Sequence, residues 1–264
     1  MLKKLIYLLP FAFLACDSDS DNSTENQSQN NFIVELVPSV TQTNVDEEFT
    51  VTVNAEETIK AMWVSLDHFA TGGYSIRNFG SSYVLHFNFD TLGEKTIYVR
   101  CQNAANQVSE RQIAINVNRG NAVKITGVQV VSFNNINGTW DPEYPISNPN
   151  HLADVFFGFN KSKLNSSLEE GYWPRLWYKS SVKENQGDLT WNISSAGLYV
   201  DPLKTIQIGV IDQDEPPLGQ NLLNSIQDTK SFSLSAYTTT KPTTIAYSYP
   251  EINLEFILQV EWPN

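Results

Sequence analysis

Short runs in which apolar and polar residues alternate one for one decide what this chain can become. In EEFTVTVNA the apolar positions are Phe49, Val51 and Val53; in KTIYVRC they are Ile97, Val99 and Cys101; in QIAINV, Ile113, Ile115 and Val117. The pattern returns in TIQIGVI at Ile206, Ile208 and Val210, and in EFILQVEW at Phe256, Leu258, Val260 and Trp262. Side chains alternate across a strand with period two, so each run buries one face and wets the other. No heptad or helical period competes with this pattern. The chain is predicted to be all-β. About 230 residues beyond the first 31 suit two consecutive antiparallel β-sandwich domains. We place them at 32–118 and 123–264, with RGNA (119–122) as a hinge. Met62-Trp63-Val64 lies inside an apolar strand, which assigns Trp63 to the core. Cys101 shares the parity of Ile97 and Val99 and reads as a small interior group rather than a reactive thiol.

The first 31 residues do not belong to either sandwich. Lys3 and Lys4 precede an apolar run, Leu5 to Ala15, too short for a permanent membrane span, so residues 1–15 read as a secretory signal. Leu14-Ala15-Cys16 resembles the lipobox of bacterial lipoproteins. That resemblance implies lipidation at Cys16 and attachment to a membrane through the lipid. Asp17, Asp19 and Asp21 follow directly and resemble the surface-export signal of Bacteroidetes lipoproteins, which implies the outer membrane and cell-surface exposure. Residues 16–31, rich in Ser, Asn, Gln and Asp, read as a flexible tether. The chain carries 17 basic and 29 acidic residues. Removal of Lys3 and Lys4 leaves 15 against 29, a net charge of −14. Such an acidic protein is unsuited to nucleic acid. It would also be repelled by an anionic membrane surface unless a divalent cation intervened. With Cys16 lipidated, Cys101 has no partner for a disulfide.

Two family resemblances follow from longer stretches. DTLGEKTIYV with QNAANQVSERQIAINV resembles the closing strands of PKD-like and other immunoglobulin-like sandwiches. In the second half, WDPEYPISNPNHLADVFFGF, LTWNI and IQIGVIDQDEPPLGQNLLN, taken in order, resemble the C2 domain, a calcium-dependent membrane-binding sandwich. Ala153-Asp154-Val155-Phe156, Thr190-Trp191-Asn192 and Val210 to Asp214 stand at three of that family's strand positions, and Asn221-Leu222-Leu223 at a fourth. The resemblance implies a Ca²⁺ site built from Asp141, Asp154, Asp212, Asp214 and Asn221. Chemically it would explain why a strand ends on two in-phase aspartates. Calcium takes about 6–8 oxygen ligands, and carboxylates from separate loops can supply them. The alternative is a sandwich that keeps these aspartates as turn residues. Asn221 stands where the family has an aspartate, which implies a weak site.

Trp173 and Trp177 in EEGYWPRLWYK offer a glycan-stacking surface, or else strand residues packed inward. His68, His86 and His151 show no metal-binding spacing, and no nucleophile elbow or phosphate loop appears, so catalysis is not expected. The expectation is a lipid-anchored surface binding protein with a C2-like tip, engaging a polysaccharide or an envelope protein. The alternative is a glycan-capture lipoprotein of a polysaccharide-utilisation system.

Overall fold

The computed structural model describes residues 32–71, 74–164, 173–214, 219–225 and 227–264. The signal, Cys16 and the tether lie outside them. The described residues form an all-β protein in which short 3₁₀ turns supply the helical residues. Residues Phe32–Asn264 make one compact unit, and it holds two hydrophobic cores.

The first core belongs to strands β1 (Val34–Pro38), β2 (Gln42–Asn44), β3 (Phe49–Ser65), β4 (Tyr74–Phe87), β5 (Gly93–Asn103) and β6 (Val108–Asn118). They hydrogen-bond in the order β1-β3-β5-β6-β2, with β4 also on β3. Register shifts between Asn54, Ile59 and Ala61 break β3 into two halves. The front half pairs with β1, the rear half with β5, and β4 accompanies both. A bulge bends its strand, so one ladder wraps around Val51, Val53, Met62, Val99, Cys101 and Ile115, each 0% exposed. Burial pushes the Cys101 thiol up to about 12, far from reactivity. Two expectations need correction. β2 runs parallel to β6, so the ladder is not wholly antiparallel. Trp63 is not part of the core; Met62 and Val64 are, and Trp63 points the other way, opposite Arg100. The MWV triplet is apolar in both parities, so alternation could not choose between them.

After β3 the chain turns through His68 and Phe69, both at positive φ (55° and 64°). Asp67 holds this turn, accepting from the Ser65 hydroxyl (2.6 Å), the Thr71 N–H (2.9 Å) and the Thr71 hydroxyl. These donors, Ser65 first, pull the Asp67 carboxyl down to about 2.

The second core lies between two five-stranded sheets. β7 (Val123–Ser132), β10 (Thr190–Asn192), β11 (Leu198–Val200), β15 (Thr244–Tyr249) and β16 (Leu254–Glu261) make one. β8 (Val155–Lys163), β9 (Trp173–Lys179), β12 (Ile206–Asp212), β13 (Gln220–Asn221) and β14 (Lys230–Phe232) make the other. Phe256 and Leu258 from the first sheet meet Phe157, Phe159, Ile208 and Val210 from the second, all 0% exposed. The Phe157 ring meets Trp191 edge-on at 5.1 Å, and the indole N–H reaches the Ser181 carbonyl at 2.8 Å, satisfying its one donor.

RGNA proves to be a clamped turn rather than a free hinge. The Ala122 N–H closes on the Arg119 carbonyl (3.0 Å), and the Arg119 guanidinium grips the Glu261 carboxylate (2.8 Å) and carbonyl (2.6 Å). Gly120 at φ 55° is required here: a Cβ would lie 2.6 Å from the Asn44 side chain. Beneath the turn, Lys161 of β8 meets Asp46 of the β2–β3 turn at 2.7 Å, with each side chain 2% exposed. The other Asp46 oxygen accepts from the Asp201 N–H (3.0 Å), and the ammonium also reaches the Tyr199 carbonyl (3.3 Å) and lies 4.2 Å from the Trp177 ring centre. Burial drives Asp46 up and Lys161 down, and each restrains the other by attraction. Asn88 and Leu164 exchange two hydrogen bonds beside them, both 2.7 Å.

Candidate cation-binding cleft

β12 carries its alternation to its last residue. Ile206, Ile208, Val210 and Asp212 all point inward, and Asp212 is 0% exposed. A carboxylate in that position must find donors or stay neutral. Its Oδ1 accepts the Asp154 N–H at 2.7 Å, while Oδ2 has no hydrogen-bond partner among the described residues. Asp154 is fixed in turn: its carbonyl accepts from Gln213 N–H (2.8 Å) and its Oδ1 from Asn185 N–H (2.7 Å).

The long β7–β8 connection brings a further acid to the same place. The His151 carbonyl accepts from both Trp140 N–H (2.8 Å) and Asp141 N–H (3.3 Å), and the His151 ring is anchored on the Asn148 carbonyl (2.6 Å). This folds the loop back over the end of β12. Asp141, Asp212 and Asp214 thereby each present an oxygen within 4.8 Å of the others. Oxygens around one calcium ion lie about 2.3–2.6 Å from it, so they stand up to about 5 Å apart. The spacing fits one ion.

The electrostatics agree with the geometry. Burial first, then the charges of Asp214, Asp141 and Asp154, push the Asp212 carboxyl up to about 6, against the pull of the Asp154 N–H. Asp141 is also raised, by burial and then by Glu143, Asp154 and Asp214. A cation would relieve repulsion that the protein's own groups leave in place.

Of the residues read from sequence, the fold therefore gathers Asp141, Asp212 and Asp214. Asp154 lines the same cleft but is no member of that triplet. Its backbone orients Asp212, and one of its oxygens is taken by Asn185. Asn221 is not on the cleft. Its carbonyl caps the Leu223 N–H (2.9 Å) and its amide turns to Asp228 (3.2 Å). Trp177 is half-buried against the core with the Lys161 ammonium close to its ring. The Trp173 side chain lies outside the described residues. Sequence reading missed the positioning work of His151 and Asn185. Asn185 adopts φ 51° to aim its N–H at Asp154, and only its residue type, tolerant of that region, hints at the role. The cleft itself measures about 570 Å³ and is bordered by Trp140, Tyr144, Glu143, Asn150 and Gln213 as well as Asp141, Asp154 and Asp214, with the buried Asp212 behind them.

No helix among the described residues is long and apolar enough to cross a membrane. No family model and no curated protein matches the chain. Among solved structures, the PKD domain of an M14-like peptidase from a Thermoplasmatales archaeon is 12% identical, covering 33% of this chain and 94% of that one, with a TM-score of 0.28. Fibronectin(III)-like modules of Clostridium thermocellum CbhA are 8% identical over 75% of this chain and 91% of theirs, TM-score 0.27. A bacterial ice-binding adhesin is 12% identical over 76% of this chain and 64% of its own, TM-score 0.24. At these scores the likenesses carry no argument about function.

Proposed function

We propose that this chain is a lipid-anchored surface binding protein whose C-terminal sandwich holds a calcium ion between the β7–β8 loop and the end of β12. The observation that carries the reading is the orphaned Asp212 Oδ2, fully buried and beside two further carboxylates. A buried polar atom without a partner costs about 1–3 kcal/mol, and a divalent cation is the group that three converging carboxylates can hold. The order of the C2-like segments supports the same site, with Asn221 dropped from the ligand set. Asp141, Asp212 and Asp214 would be ligands, and Asp154 a positioning residue. The lipobox at Cys16 supports the anchor. The reading is of a binding protein rather than an enzyme.

Calcium linkage tests it. Binding to the folded state alone raises stability by about 2.7 kcal/mol at a hundredfold excess over Kd. A calorimetric scan should therefore show a higher Tm in millimolar Ca²⁺ than in chelator, and Asp214→Asn should shrink the difference. Equal midpoints in both would end the reading. Glycan capture is the second reading; Trp177 does not favour it, but the composition of the cleft does.

A further inference from the structure

The proposed ion, on which this inference rests, would not be fully wrapped by the described residues. Calcium takes about 6–8 oxygens. Asp141, Asp212 and Asp214 converge on the site, and Asp212 has already given one oxygen to the Asp154 N–H. The remainder of the shell opens onto the cleft, so the cleft wall decides what fills it.

That wall is unsuited to an anion. Among the described residues no lysine or arginine lines it, and Glu143 and Glu184 add negative charge to the aspartates. Lys179, close by, is held on the Gln213 side chain (3.1 Å) and 4.1 Å from the Phe156 ring centre. A phosphate would be attracted by the ion and repelled by the acidic wall around it. A hydroxyl carries no such penalty. Asn150, Asn185 and Gln220 border the same space with amides that both donate and accept, whereas the Gln213 amide is already engaged by Lys179 and the Asp214 carbonyl. Trp140 and Tyr144 add flat aromatic faces at the rim, Tyr144 being 39% exposed and Trp140 fixed by its indole N–H on the Asn135 carbonyl (3.1 Å). Aromatic faces beside amides and an open metal shell suit a ring that is apolar on one face and hydroxylated at its edge.

We propose that the cleft binds a neutral, hydroxyl-rich carbohydrate, two neighbouring hydroxyls of which complete the shell of the cation while the ring packs on Tyr144 or Trp140. Terbium separates this inference from the reading beneath it. The ion takes calcium's oxygen ligands, is excited through a nearby indole such as Trp140, and reports its bound waters through lifetimes in H₂O and D₂O. With the intact protein, sensitised emission is expected from terbium alone. Adding mannan, xylan, laminarin, galactan or starch should displace about two waters for at least one polymer. The same polymer should retard the protein in affinity gels with Ca²⁺ but not with chelator. Tyr144→Ala should weaken retardation about tenfold while leaving terbium binding unchanged. Emission with no change in bound water on any polymer overturns the carbohydrate inference and leaves the cation reading intact. Calcium-dependent sedimentation with phosphatidylserine vesicles in place of polymer binding overturns it in favour of a lipid surface. Absence of sensitised emission removes both.

Discussion

Asp46 and Asp212 are both shut off from solvent, at 2% and 0% exposure, and are treated differently. At the junction of the two cores, both oxygens of Asp46 are engaged, one by the Lys161 ammonium and one by the Asp201 N–H. At the loop end of the second sandwich, Asp212 has the Asp154 N–H on one oxygen, no partner among the described residues on the other, and two more carboxylates for neighbours. Burying a charge is tolerable when it is paired and hydrogen-bonded. The fold draws Asp46's partner from 115 residues away, and its attraction outweighs the like charge of Asp90; around Asp212 it gathers the like charges of Asp214, Asp141 and Asp154. A sequence able to neutralise one buried aspartate leaves the other without a counter-charge among the described residues, which is the ground for the cation proposed above.

The largest effect should come from the satisfied site. Lys161→Met strands the Asp46 carboxylate and should cost about 3–5 kcal/mol in urea denaturation. Adding Asp46→Asn, which suits the positive φ of 63° there and still accepts the Asp201 N–H, should recover much of that loss. Wild-type stability in the single variant would break the comparison. An opposite sign is expected at the second site. Asp212→Asn keeps an oxygen for the Asp154 N–H and removes the unwelcome charge. In chelator at neutral pH it should stabilise by on the order of 1–3 kcal/mol, and calcium should no longer raise its Tm. Destabilisation in chelator would mean that the carboxylate is needed without an ion.

A third aspartate sharpens the contrast with the smallest effect. Asp67 is exposed but receives donors from Ser65 and Thr71, and its carboxyl lies at about 2 instead of 3.8. A depressed value means that the folded state favours the charged form, so its contribution is present above the unfolded value and fades as pH falls from about 4 towards 2. The Tm advantage of wild type over Asp67→Asn should be constant above pH 5 and vanish through that window. A difference that persists unchanged at pH 2 would assign it to something other than the charge.

What could be read from sequence was local. Alternation placed Phe49, Val51 and Val53, and again Ile206, Ile208 and Val210, on the buried side, because one strand's pattern needs no knowledge of its partners. The same logic carried Asp212 inward, since it continues the phase of Val210. Alternation failed at Trp63, flanked by apolar residues of both parities on a strand already shifted by a bulge. The C2 resemblance, not alternation, set Asn221 among the acids, and its side chain is claimed by its own turn. The junction was half legible. Phe157, Phe159 and Lys161 share a parity, and all three are buried. A lysine in phase with two core phenylalanines announces a hidden counter-charge, but only the tertiary fold could name Asp46.

Lys161 also ties the fate of one core to the other. Melting either half alone would leave a lysine or an aspartate stranded in apolar surroundings, or drag it into water together with its share of Trp177 and Tyr199 packing. Partial unfolding therefore carries a penalty from the half that stays folded, and the two cores are expected to come apart cooperatively, as one transition.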